Sequence, residues 1–349
     1  MHITEGIITG PAAVFYTAAG VALVGYGTSR MKKFVAAAPE KRPLLGMAGA
    51  LIFFVSLLPI PAFTGTCSHP CGTPLIAILF GPGIAIALTG GSLLLQAAFF
   101  AHGGFGTWGA NVVALGFFGC FAGWSGFWLA RKLGFSLWGA GFAGGLFGDI
   151  MVYVASGLIL AGELANAPTP QYAFGGYLAV IFTAYLPTQL PIALGEMVIT
   201  GLSLQYIYNQ RPEVLIDLGL IKSDKVLSGK SRGYKSLVLL FIVTSLLIPI
   251  NRAVADKDGT ATVVEQSPGQ ETISDKTISY SGMDEAVNEK LAEEAGIPPR
   301  DPFIDTEAMG DLWNALLLLG GGICGFVLGR WWHLISKKKN NVSGTGGGT

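Results

Sequence analysis

Apolar runs long enough to cross a membrane alternate along the chain with short polar or basic stretches. A helical crossing takes about 20 apolar residues, and runs of that order cover 11–29, 44–60, 107–129, 136–161, 235–250 and 312–334. Two further stretches, 73–101 and 172–208, are long but interrupted by Gly or Pro. Basic residues set the direction, because Lys and Arg gather on the cytoplasmic side. Arg30, Lys32, Lys33, Lys41 and Arg42 follow the first span, and Arg131 and Lys132 follow 107–129. Both loops are therefore predicted to lie inside, with the N-terminus outside. Between the outside loop at 63–72 and the inside loop at Arg131 the number of crossings must be odd. The stretch 73–101 then supplies two short arms broken at Gly81-Pro82, since proline disrupts a helix interior. By the same parity 172–208 crosses once, as a helix interrupted around Pro187 and Pro191. The prediction is an all-α integral membrane protein, a seven-span bundle with broken helices. Half-helices at membrane depth need cover from protein or from a cavity, and a binding cavity gives a reason to have them.

The pattern changes after residue 210. Residues 1–210 read as the transmembrane capture domain, 211–234 as a basic cytoplasmic linker, and 235–349 as a two-span module. Between its spans lies an acidic external loop, 251–311, with 14 Asp and Glu against 5 Lys and Arg, a net charge of −9. The last span stops at Lys337-Lys338-Lys339, so the C-terminus is predicted inside. The Ala253-Val254-Ala255 triplet has the look of a cleavage site.

Composition agrees. Charged residues make up 13% of the 349, against about 25% in soluble domains. The 50 glycines suit helices that pack closely in a membrane. A net charge of zero argues against a nucleic-acid partner. Four cysteines do not make a disulfide framework. The start, Met1-His2-Ile3-Thr4-Glu5-Gly6, lacks the basic region of a signal peptide, so the mature protein is expected to begin at Met1.

The candidate chemistry lies in three clusters on the predicted outer side. Of four histidines, three fall there, and His333 sits beside Trp331 and Trp332 at the inner interface as an anchor. His2 offers adjacent nitrogens: the Met1 amine, its own amide and its imidazole. A fourth nitrogen from a distant histidine completes a planar set of the kind that selects Ni(II) or Cu(II), with Co(II) a further possibility. The second cluster holds Cys67, His69 and Cys71. His69 can supply the fourth nitrogen, while the cysteines admit a soft thiolate site for zinc or Cu(I), a disulfide, or a purely structural turn. The third cluster is His102 with Asn111. His102 fits transient binding or orientation of the ligands, or a helix-end histidine bonded to backbone. Glu5 either neutralises an incoming cation or fills a first helical turn. Nothing hydrolytic is present: Gly229-Lys230-Ser231 ends like a phosphate-binding loop, but that loop's first glycine would fall on Asp224. The chain is expected not to be an enzyme.

At these clusters the sequence resembles the substrate-capture component of the nickel/cobalt energy-coupling-factor transporters, a class of ATP-driven uptake systems. The carrying motifs are Met1-His2-Ile3-Thr4-Glu5-Gly6, the run from Thr64 to Thr73 with Ile78-Leu79-Phe80-Gly81-Pro82, and Ala101-His102-Gly103-Gly104 with Gly109-Ala110-Asn111. The resemblance spans roughly 1–210. It implies metal ligation by Met1, His2 and His69, with Ni(II), or alternatively Co(II) for cobalamin synthesis, as the transported substrate. It also implies a multi-pass protein of a prokaryotic cell membrane, with a transmembrane coupling subunit and ATPase subunits as partners. The tail resembles the small two-span auxiliary component of these systems, and such fused chains favour nickel. Two rivals from other classes are an intramembrane zinc metalloenzyme using Cys67, His69, Cys71 and His102, with Glu196 as general base, and a membrane metal sensor.

Overall fold

A computed structural model describes residues 2–57, 60–61, 67–100, 102–222, 283–300 and 319. Met1, the Cys67 side chain, the span at 235–250, all but residue 319 of the span at 312–334, His333, residues 223–234 and most of 251–311 lie outside the described residues.

The bundle is built from α1 (Gly10–Ala37), α2 (Arg42–Val55), α3 (Thr73–Phe80), α4 (Pro82–Phe99), α5 (Trp108–Lys132), α6 (Leu137–Ala165) and α7 (Phe174–Gln210). A short α8 (Pro212–Asp217) and a separate α9 (Met283–Glu294) complete it. Pro stands in the first turn of α1, α2, α3, α4 and α8, where its missing N–H has no intrahelical partner to lose. Seven helices, α1 to α7, fall on the stretches expected to be apolar spans or arms. Among them α1, α4, α5, α6 and α7 are long and apolar enough to cross a membrane. With 8 residues, α3 rises only about 12 Å and is a half-helix. It breaks from α4 where expected, at Gly81 (φ +83°) followed by Pro82.

The second expected break is absent. Helix α7 runs continuously for 37 residues through Pro187 and Pro191. Pro187 and Pro191 remove the N–H groups that would reach the carbonyls of Thr183 and Pro187, a loss that a membrane helix tolerates where its surroundings re-satisfy those groups. A further departure is the π-helical turn of α5, Val112–Gly119, an irregularity often found near functional sites.

Close approach of backbones holds the bundle. A Cβ on Gly109 would lie 2.2 Å from the Tyr16 carbonyl oxygen of α1, and one on Gly145 2.7 Å from the Glu196 carbonyl oxygen of α7. Large apolar side chains such as Val14, Phe15 and Met47 are two-thirds exposed, as suits helices facing lipid rather than water. The molecule is a multi-pass membrane protein.

Two polar stretches are more ordered than their composition suggests. The basic linker opens as α8, with Leu215 fully buried and Lys41 Nζ donating to the Asp217 carbonyl at 3.3 Å. Within the acidic loop, α9 packs on α6 and α7. Leu291, Ala292 and Ala295 join the main core, and the Tyr185 hydroxyl donates to Asn288 Oδ1.

Candidate metal centre

Residues 2–9 form no helix. They plug one end of the bundle. Ile3, Ile7 and Ile8 are almost wholly buried against Ile86, Leu93, Trp108 and Leu160. At about 25 cal/mol per Å², three isoleucines hidden from solvent anchor a segment with no secondary structure of its own. Polar groups fix its register. Asn111 accepts the Ile3 N–H at Oδ1 (2.8 Å) and donates Nδ2 to the Ile3 carbonyl (3.2 Å), which also accepts the Thr107 hydroxyl at 2.8 Å.

The loop 102–107 shapes the other wall of this seat. Gly103 has φ +74° and lies so close to His2 that a Cβ there would sit 3.5 Å from the His2 Cβ. Gly104 and Gly106 leave room for the Glu5 carboxylate, whose Oε2 accepts the Gly106 N–H at 2.8 Å. Glu5 therefore ties the plug to this loop. It does not open α1, which begins at Gly10.

Three imidazoles converge at this end. One ligand atom from each of His2, His69 and His102 falls within 4.8 Å of the others. Ring centroids are separated by 4.2 Å for His2–His102, 4.7 Å for His69–His102 and 5.1 Å for His2–His69. The Nε2 atoms of His69 and His102 stand 2.9 Å apart. His2 is fully buried, and neither of its ring nitrogens has a hydrogen-bond partner. Leaving a buried polar group unsatisfied costs about 1–3 kcal/mol, so His2 sits at a cost the protein fold alone does not recover. A metal ligated by neutral imidazoles would recover it.

Of the residues singled out from sequence, His2, His69 and His102 come together, Asn111 and Glu5 position the segment carrying His2, and Cys71 does not join them. Cys71 is a buried free thiol whose Sγ donates to Asp149 Oδ1 at 3.5 Å. Among the described residues it forms no disulfide and stands outside the group of three imidazoles. Sequence reasoning missed Asp149. An acidic residue inside the apolar run 136–161 was the available signal.

Burial pushes the imidazoles of both His2 and His69 well below the ordinary 6.5. For His2 the neighbouring His102 adds to this, and for His69 the same neighbour contributes less than burial. The unfolded chain takes up protons near pH 6.5 that these folded imidazoles refuse. Metal-free stability is therefore expected to fall as pH drops through that value. Equilibrium unfolding from about pH 8 to about pH 5 checks this, and His2→Gln should flatten the slope.

The fold and site define a membrane-embedded protein that presents clustered imidazoles at one end of a helical bundle. Residues 2–214 match the cobalt uptake substrate-specific transmembrane region, CbiM, and the chain belongs to that family. The cobalt transport protein CbiM of Geobacter sulfurreducens is 35% identical over 337 residues, covering 96% of this chain and 90% of the relative. The CbiM of Sorangium cellulosum is 36% identical over 223 residues, 64% of this chain and 97% of the relative. A crystal structure of a transition metal transporter superposes with a TM-score of 0.50 at 26% identity, over 63% of this chain and 99% of that one.

Proposed function

We propose that this chain captures divalent cobalt at the histidine end of the bundle, facing outside, for ATP-driven uptake by partner subunits. The observation that carries the reading is the buried His2 imidazole, unpartnered at both nitrogens and in contact with two further imidazoles. His2 and His69 are the proposed ligands, with the Met1 amine as a further donor. His102 receives or completes the coordination. Burial of the His2 and His69 imidazoles favours their neutral form, as metal ligation requires. The names of the relatives support cobalt.

Nickel is the second reading. The terminal amine, the His2 amide and imidazole, and one more histidine would make a planar set that suits Ni(II). A third imidazole within reach works against planarity and toward Co(II). Competition dialysis of the purified full chain with both ions tests the choice. One ion per chain is expected, with Co(II) preferred, and His102→Ala should shift the preference toward Ni(II). An unchanged ratio in that variant would remove His102 from the site. Uptake that survives loss of ATP in cells carrying the whole transporter would contradict the energy source.

The C-terminal module is proposed to act as a clasp on the loaded plug. The Geobacter relative aligns over 96% of the chain and the Sorangium one, nearly complete, over 64% of it, which supports reading part of the chain as a separable module. Segment 283–300 reaches both the turn before α7 and the plug. Gln171 Nε2 donates to the Glu294 carbonyl at 3.0 Å, and the Arg300 N–H donates to the Glu5 carbonyl at 2.9 Å. Gly6 (φ +90°) admits Arg300, since a Cβ there would lie 2.7 Å from its backbone nitrogen. Asn288→Leu removes the Tyr185–Asn288 hydrogen bond, worth about 0.5–1.5 kcal/mol. Faster amide exchange across 283–300 and slower metal uptake are the expected results.

A further inference from the structure

Capture by three imidazoles requires each to be held in place, and His69 has little local structure to hold it. Before it lies the two-residue strand Cys67–Ser68, paired with Ile60–Pro61, and after it α3 begins at Thr73. Pro70 stiffens the link between them. Gly72 ends it with φ +67° against α2, where a Cβ would lie 3.3 Å from that of Val55. From His69 to Gly72 the chain spans at most about 11 Å, so whatever fixes Gly72 bounds where the imidazole can sit.

Gly72 is fixed by a group from another helix. Its N–H donates to Glu196 Oε2 on α7 at 3.1 Å, and the Thr200 hydroxyl, one turn further along, donates to Oε1 at 3.4 Å. Glu196 is fully buried, about 33 Å along α7 from Phe174 and about 21 Å from Gln210. Ionisable residues at such depth are rare and functional by default. The position is also rigid, because a Cβ on Gly145 of α6 would already lie 2.7 Å from the Glu196 carbonyl oxygen. The neighbouring Cys71 thiol is a weak donor and reaches Asp149 at 3.5 Å, so Glu196 supplies the stronger hold on this turn. A glycine opening α3 has no side chain to cap it. Glu196 serves the Gly72 N–H from α7 as a capping-box glutamate would from within the helix.

We propose that Glu196 is a positioning residue for metal capture: from α7 it holds the turn behind His69 and so keeps that imidazole in reach of His2 and His102. The inference rests on the capture reading above. It assigns the work to reach rather than to charge. Gln in place of Glu196 keeps an acceptor oxygen at the same distance and should hold the turn. Asp is one methylene shorter and should leave the Gly72 N–H without its acceptor. A group serving as counter-charge to the cation would show the reverse order.

Co(II) binding to the purified full chain is measured by equilibrium dialysis. Glu196→Gln is expected within about threefold of the parent, because it keeps the acceptor. Glu196→Asp should bind about 10- to 100-fold more weakly, the range seen when groups that support metal ligands are altered. Thr200→Val removes the hydroxyl that steers the carboxyl group and should cost about three- to tenfold. The Asp and Val changes are then repeated in a His69→Ala chain, whose weaker binding is followed at higher Co(II). A residue that acts through His69 has nothing to act on there, so neither change should weaken binding further. A merely structural defect would weaken both backgrounds alike, and that result overturns the proposal. So does a Glu196→Asp chain that binds no worse than Glu196→Gln, or a Thr200→Val chain that binds like the parent. Parent-like binding by His69→Ala, or a parent chain that binds no Co(II), would instead refute the capture reading.

Discussion

Replacing His2 by Ala is expected to cost about 100- to 1000-fold in Co(II) affinity without unfolding the bundle. A four-ligand transition-metal site binds with about 10–16 kcal/mol, so one ligand accounts for about 2.5–4 kcal/mol, or two to three powers of ten. The bundle should survive because the plug is held by Ile3, Ile7 and Ile8 and by the Asn111 and Thr107 bonds to Ile3, none of which uses His2. The variant even sheds two buried unpartnered nitrogens, so its metal-free form should melt no lower than the parent. Calorimetric titration and thermal unfolding of the same preparation separate the two effects. A variant that binds normally would leave the imidazole cluster without a role.

The second large effect is expected from Gly109→Ala. The added methyl would meet the Tyr16 carbonyl at 2.2 Å and the Thr17 nitrogen at 2.5 Å. These are backbone atoms, which cannot swing aside as a side-chain tip can. Overpacking of this kind costs about 1–3 kcal/mol, and relief requires α1 to move away from α5. Trp108, bonded to the Gly90 carbonyl at 2.9 Å, and Asn111, bonded to Ile3, sit on either side of Gly109. Any shift of this turn therefore disturbs the plug that carries His2. Lower melting temperature and about tenfold weaker Co(II) binding per 1.4 kcal/mol transmitted should appear together. Weaker stability with unchanged affinity would show that the plug is insulated from the α1–α5 crossing.

What could be read in advance follows a physical division. The break at Gly81-Pro82 was legible because a positive-φ glycine and a proline act on their own few residues. The prolines at 187 and 191 misled because the cost of a proline in a membrane helix depends on the surroundings of the carbonyls it frees, which the local sequence does not show. His2, His69 and His102 stood out as three of only four histidines. That their rings would touch needed the plug, whose fit depends on Gly103, Gly104 and Gly106 lacking side chains. Acidic composition hid α9, although Val287, Leu291, Ala292 and Ala295 already fall on one helical stripe. Asp149 was passed over because hydropathy averaging dilutes one acid in a long apolar run, although that lone acid was itself the signal.

X-ray absorption at the cobalt edge, on the purified full chain loaded with less than one equivalent of Co(II), tests the central claim most directly. The account predicts a nitrogen-dominated first shell with the outer-shell scattering of at least two imidazoles, lost when His2 is replaced. A shell containing sulfur, or one of oxygen alone, would contradict it.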